Sequence, residues 1–142
     1  MQQPPKRRSY NKCQKGRNRG MSNASTVEFG QFGLRITDRG QVNARQIEAM
    51  RRVIVRTMNK KGKLIIRVFP DKPVSKKPLE VRQGKGKGSV ELYVFEAKPG
   101  TMLFELKGID KDTARLAFKK ASAKLHLNCE FVVSEDYIED VA

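Results

Sequence analysis

Residues 1–26 hold almost nothing that a hydrophobic core could use. They carry Pro4, Pro5, Gly16 and Gly20 among the cations Lys6, Arg7, Arg8, Lys12, Lys15, Arg17 and Arg19. A stretch so polar buries too little apolar surface to offset the entropy lost on ordering. It reads as an extended basic arm, disordered alone and ordered by a partner. The core must come from the residues beyond 26, which sets a single folded domain at 27–134 and an acidic tail at 135–142. A chain of 142 residues suits one domain.

Charge is divided as unevenly as polarity. Residues 1–90 carry 23 basic and 5 acidic side chains, and residues 91–142 carry 7 and 10, for a net charge of +15. Such self-repulsion points to a polyanionic partner, and nucleic acid is the first candidate because phosphate contacts release counterions. The split places the binding surface in the first two thirds. With no Trp and 7% aromatic residues, contact by base stacking is disfavoured against contact by Arg and Lys. No run approaches the length of a membrane span, and no apolar stretch follows the N-terminal charges as in a secretory signal. The prolines disfavour an amphipathic transit helix, so the mature chain is expected to begin near Met1. A membrane partner is not expected.

Along the domain, Val27, Phe29, Phe32, Leu34 and Ile36 alternate as a strand over 26–37, with Gly30 and Gly33 suited to a bulge or close backbone approach. Residues 38–42 read as a turn. Asn43 and Gln46 form a capping box for a helix whose Ala44, Ile47, Met50, Ile54 and Met58 face the core. Its other faces carry Arg45, Arg51, Arg52 and Arg56, and Gly62 suits its C-terminal end. A strand over 63–69 comes next. The pattern then disappears over 70–89, where three prolines and three glycines surround basic residues, predicting a long basic loop. Strands at 90–97 and 102–106 read as a hairpin about Lys98-Pro99-Gly100. Asp110 caps a second helix with Ala114, Ala117, Phe118, Ala121 and Leu125 inward, and a last strand spans 129–134. Two helices on an antiparallel or mixed sheet make the class α+β.

Two motifs carry the binding chemistry. Lys15-Gly-Arg-Asn-Arg-Gly20 sets Arg17 and Arg19 around Asn18 on glycine-flanked backbone, and guanidinium forks match phosphate oxygens. Arg82-Gln-Gly-Lys-Gly-Lys-Gly88 imitates a nucleotide loop, yet Lys85 and Lys87 are each followed by glycine and the next element is a strand. It is better read as a slim basic finger for an RNA crevice. Helix charges are commonly just a solvated face, but only Glu48 is available to pair with the four arginines. Cys13 and Cys129 read as free thiols of a reducing compartment, and His126 with Cys129 supplies too few ligands for a metal. No base, nucleophile and orienter set is visible, so neither catalysis nor a cofactor is expected.

The segments Lys15–Gly20, Phe32-Gly-Leu34, Arg67-Val-Phe-Pro-Asp-Lys-Pro73 and Lys77–Gly88 resemble the bacterial-type ribosomal protein L sixteen family, in one register to about residue 133. The resemblance implies two helices against an antiparallel sheet. It also implies binding to large-subunit ribosomal RNA beside the A site and peptidyl-transferase centre, proximity to A-site tRNA and neighbouring ribosomal proteins, and a role late in subunit assembly, without enzymatic activity. By motif, Arg17 and Arg19 match the family's rRNA-binding arm. Lys77, Arg82, Lys85 and Lys87 match its loop directed toward the tRNA end, and the arginine matching Arg82 is hydroxylated in some members. The opening is about one residue longer than usual, Gln83 replaces a common Met, and the end after Ser134 has no familiar counterpart. The resemblance fits a ribosome of a bacterial cytoplasm or of an organelle. Composition alone also admits a free-standing nucleic-acid-binding module, and an enzyme using the finger is disfavoured by the missing P-loop hydroxyl.

Overall fold

In a computed structural model, residues 4–137 are described. Seven strands and two helices run in the order β1 (Phe32–Ile36), β2 (Gly40–Asn43), α1 (Ala44–Thr57), β3 (Lys63–Ile66), β4 (Lys72–Lys76), β5 (Ser89–Ala97), β6 (Met102–Lys107), α2 (Lys111–Ser122) and β7 (Cys129–Val133). The class is α+β, but the strands form two antiparallel sheets. One runs β3-β6-β1-β7 and the other β2-β5-β4.

The expected hairpin of the two central strands does not form. β5 pairs with β2 and β4, while β6 pairs with β1 and β3. The turn between them carries the chain from one sheet to the other. Gly100, at φ +88°, donates to Ile36 O at 2.8 Å, and Thr101 O accepts from Ile36 N at 2.9 Å, which ties the crossing to the end of β1.

Three boundaries differ from the sequence reading. The first strand begins at Phe32, because the amides of residues 28–30 turn to the carboxylate of Glu105 instead of a strand. The segment read as a turn contains β2, which buries Val42 and ends on Asn43. The expected loop contains β4, whose Pro73 lacks a ladder N–H but is tolerated because β4 lies at a sheet edge.

Both helices start as their caps dictate. Asn43 accepts from Gln46 N at 2.8 Å and Gln46 Oε1 accepts from Asn43 N at 2.9 Å, closing the box. Asp110 accepts from Thr113 N at 2.9 Å. Gln46 Nε2 lies 3.1 Å from His126 Nδ1, and Lys61 acts on Asp110 at the opposite ends, so the helices run antiparallel. Their apolar stripes close over Phe32, Leu34, Ile36, Leu103, Phe104 and Leu106 in one continuous core. Gly33 makes room there, since a Cβ would lie 2.6 Å from Met102 Sδ and 2.9 Å from Val27 Cγ2 and would displace both side chains.

Candidate nucleic-acid interface

The arm has no helix or strand over residues 4–31, yet it does not stand free. It is laid against the domain by hydrogen bonds running both ways, from domain side chains to its carbonyls and from its own Asn18 to β5, and by a guanidinium over the sheet. Lys72 Nζ reaches Lys15 O at 2.6 Å and also pairs with Glu96. Arg39 Nη2 donates to Gly20 O at 2.9 Å, and Asn18 Nδ2 donates to Ala97 O at 2.7 Å. The Arg8 guanidinium stands 5.2 Å over the Tyr93 ring. The expectation that order must come wholly from a partner missed these contacts, because a carbonyl acceptor leaves no mark on composition.

The finger, residues 77–88, rises between β4 and β5. Its tip turns through Gly84 and Gly86, both at φ +103°, with Lys85 between them at φ +55°. Lys77 Nζ donates across it to Gly84 O. Arm and finger meet in a reciprocal clasp: Lys12 Nζ donates to Lys87 O at 2.8 Å, and Lys87 Nζ donates to Cys13 O. Two segments 75 residues apart thus form one cationic surface.

Lys6, Arg7, Arg17, Arg19, Arg82 and Lys85 project from this surface into solvent, and Lys12, Lys15 and Lys87 are also exposed. Arg8, Asn18 and Lys77 are half-buried. Arg8 Nη1 and Asn18 Oδ1 are buried without a hydrogen-bond partner among the described residues. The arginines of α1 lie on a separate element. Arg45, Arg52 and Arg56 are exposed, whereas Arg51 is half-buried. Arg51 Nη2 and Arg52 Nε both hold Glu48, at 2.8 and 3.0 Å. The hydrogen bond from Arg51, reinforced by that from Arg52, brings the Glu48 carboxyl down to about 2. One carboxylate therefore offsets part of the charge expected on this face.

Sequence reasoning missed Arg39 and Lys72 as tethers of the arm. The alternation Lys72-Pro-Val-Ser-Lys76, read as a strand, would have pointed to Lys72. Of the two thiols, Cys13 Sγ lies 3.6 Å from Pro73 O beneath the arm. Cys129 is pushed up to about 11 by burial and, secondarily, by the Asp38 carboxylate. Among the described residues, no three His, Cys, Asp or Glu side chains are grouped to hold a metal ion, and no helix is long and apolar enough to cross a membrane.

The model of the family described as ribosomal protein L16p/L10e matches residues 5–132, which takes in the arm, the finger and both helices. The large ribosomal subunit protein uL16 of Xylella fastidiosa is 56% identical over 130 residues, covering 91% of this chain and 95% of the relative. That of Coxiella burnetii is 56% identical over 129 residues, covering 90% and 94%. With a family model spanning nearly the whole folded region and relatives matched end to end, the chain belongs to the ribosomal protein L16p/L10e family.

Proposed function

We propose that the chain is a structural, non-enzymatic constituent of the large ribosomal subunit, where the arm and finger bind large-subunit rRNA beside the A site and peptidyl-transferase centre. The observation that carries this reading is the clasp between Lys12 and Lys87, which turns two remote basic segments into one surface. RNA docking along the arm would set the finger's position at the same time. Arg17 and Arg19 offer forks to phosphate, with Lys6, Arg7, Arg8, Lys12, Lys15 and Asn18 along the same track. Lys77, Arg82, Lys85 and Lys87 bring charge on a glycine-rich backbone that fits where larger side chains would not, which suits the end of an A-site tRNA. Arg45, Arg51, Arg52 and Arg56 supply a further rRNA contact from α1.

The reading includes neighbouring large-subunit proteins as partners, support of late subunit assembly, and no cofactor. The named relatives are large ribosomal subunit proteins of bacteria, which favours a cytoplasmic ribosome of that type.

The test is high-salt sucrose-gradient sedimentation of an extract, with fractions blotted for the chain. Stoichiometric co-migration with the large subunit is expected. Recovery only at the top of the gradient, or only on immature particles, would replace the reading with a free RNA binder or an assembly factor. In parallel, the affinity of purified chain for large-subunit rRNA should fall by about 10³ to 10⁵ between about 50 and 200 mM salt if six to ten phosphates are engaged.

A further inference from the structure

The arm and finger leave out a second concentration of charge. α2 carries Arg115, Lys119, Lys120 and Lys124 on its exposed side or just beyond its end, and from Thr113 to Lys124 it has no carboxylate at all. Among the described residues Lys119, Lys120 and Lys124 form no ion pair, and Arg115 instead stands 5.7 Å over the Phe131 ring. The inward stripe Ala114, Ala117, Phe118 and Ala121 is fully buried. The cations are therefore fixed outward by the fold.

Their spacing makes two rows. Arg115 and Lys119 are four residues apart on one edge of the exposed face, Lys120 lies on the other edge, and Lys124 follows it in the turn after Ser122. Between the rows lie Leu116 and Ala123, both exposed. Leu116 is 48% exposed, a bare apolar strip with cations on both sides. The rows stand about one helix width apart, about 10 Å, so they can meet different phosphates rather than converge on one.

Two ordinary explanations fall short. Cations in a last turn complement the helix dipole, which suits Lys119 and Lys120 but not Arg115. Solvated helix faces usually pair opposite charges at i,i+3 or i,i+4. Here Lys111 and Arg115, and again Arg115 and Lys119, are like-charged at i,i+4. The one carboxylate of the helix beyond its cap, Asp112, sits in the first turn within reach of Arg115 alone among the four cations. A helix whose later turns carry Lys119, Lys120 and the following Lys124 with no carboxylate in reach is matched to a polyanion. The strip is also remote in topology from the arm and finger, which are carried by β4 and β5. α2 packs on α1, β1 and β7.

We infer that the exposed face of α2 is an additional RNA-binding surface beside those of the arm, the finger and α1, which grips the phosphate backbone of an rRNA segment other than the one held by the arm and finger, so that the chain bridges two parts of the RNA. This rests on the ribosomal reading and extends it to residues outside the basic two thirds of the sequence. Recognition is by charge and shape, without reading bases, since the face offers ammonium and guanidinium groups and no aromatic platform.

The experiment compares the full chain with the variant Arg115→Gln, Lys119→Gln, Lys120→Gln, Lys124→Gln on large-subunit rRNA, by titration at several salt concentrations and by backbone footprinting. Glutamine keeps helix propensity, and the relief of repulsion offsets the lost Arg115 contact with Phe131 and the dipole complement of Lys119 and Lys120, so the chain should stay folded with an unchanged far-ultraviolet spectrum. The slope of log affinity against log salt is expected to lessen by about 3.6 where each of the four cations neutralises one phosphate, at about 0.9 for each. One protected RNA segment should disappear while another persists. The companion variant Arg17→Gln, Arg19→Gln, Lys85→Gln, Lys87→Gln should lose the other segment. An unchanged slope and footprint in the α2 variant would overturn the inference. So would an unchanged slope with weaker retention on large subunits, which would assign the face to an acidic protein neighbour. If the unaltered chain shows no salt-dependent rRNA binding, the ribosomal reading itself fails. That outcome is distinct from a silent α2 variant.

Discussion

Glu105 is the most consequential carboxylate in the fold, and its replacement tests how the arm joins the domain. It lies in β6 with 0% exposure. One oxygen accepts from Phe29 N at 2.7 Å and Gly30 N at 2.8 Å, and the other faces Glu28 N at 3.3 Å and the Arg67 guanidinium. Arg67 also reaches Glu28 at 3.1 Å and lies 4.7 Å over the Phe29 ring. The backbone of 28–30, which leads from the arm into β1, is thus satisfied by one side chain. Gly30 permits this approach, since a Cβ there would sit 2.7 Å from Leu106 O. Glu105→Ala would leave up to three amides without their acceptor and Arg67 with Glu28 alone. Breaking a buried ion pair from one side costs about 3–5 kcal/mol. With a urea m-value of about 2 kcal/mol/M for a domain of this size, the midpoint should drop by about 2 M.

Glu105→Gln should cost less, about 2 kcal/mol, because one carbonyl oxygen still accepts while the amide turns donors toward donors. The double replacement Arg67→Met, Glu105→Leu is the sharper probe. Where a buried pair serves only itself, apolar residues of similar volume restore stability. Here the amides of 28–30 would remain orphaned, so the double variant should stay at least about 2 kcal/mol below the original. Urea denaturation followed by far-ultraviolet dichroism measures all three. A loss below about 1 kcal/mol for Glu105→Ala, or full recovery in the double variant, would refute the claim that this carboxylate organises the arm's root.

Other residues give smaller effects. Asn43→Ala removes the side-chain half of the capping box, leaving the backbone N–H of residue 43 to donate to Gln46, and should lower stability by about 1 kcal/mol, read as a shift of the same urea midpoint. Glu48 has its carboxyl lowered from 4.5 to about 2, so its contribution is present above about 4.5 and fades as pH falls toward 2. Glu48→Gln should flatten that part of the acid denaturation curve, an effect of at most about 1 kcal/mol because the pair is at the surface. The same change unmasks Arg51 and Arg52, so the salt slope of rRNA binding should steepen by about 1. An unaltered slope would remove those two arginines from the RNA contact. Cys129, held near 11, should react with iodoacetamide at pH 8 about a hundredfold more slowly than an ordinary free thiol, which mass mapping of the alkylated protein would detect.

The helices were legible because their signals are local. The stripe at 44, 47, 50, 54 and 58 and the caps Asn43 and Asp110 lie within one or two turns of what they determine, and the structure buries or bonds each as the spacing requires. Strand pairing was less legible. Lys98-Pro99-Gly100 carries the chemistry of a tight turn whether the chain doubles back or crosses to another sheet. The choice is made by β2 and β4 competing for the edges of β5, a long-range matter. β2 and β4 were missed for the same reason: one contains a single buried apolar residue and the other a proline among lysines, so pairing, not pattern, makes them strands. Arg17, Arg19 and the finger were conspicuous in the sequence as charge on glycine-rich backbone. The clasp of Lys12 and Lys87 was invisible there, since it joins a side chain to a distant carbonyl.

The distribution of ion pairs explains why the charge surplus falls where it does. Glu28 and Glu105 hold Arg67 at the root of β1, Glu96 holds Lys72 beneath the arm, and Glu130 holds Arg35 across β1 and β7. Glu48 offsets two arginines within α1. These carboxylates act inside the folded domain, where they fix strands and helices to one another. By contrast Lys6, Arg7, Arg17, Arg19, Arg82 and Lys85 form no ion pair with another described residue. Placing carboxylates opposite them would relieve self-repulsion and stabilise the free chain, yet on the proposed RNA-binding reading each would cancel a phosphate contact. Stability of the isolated protein and affinity for RNA are therefore opposed at those positions. On that reading the sequence resolves the conflict by confining its paired carboxylates to the domain, so that the arm, the finger and the outer face of α2 are left for RNA to neutralise.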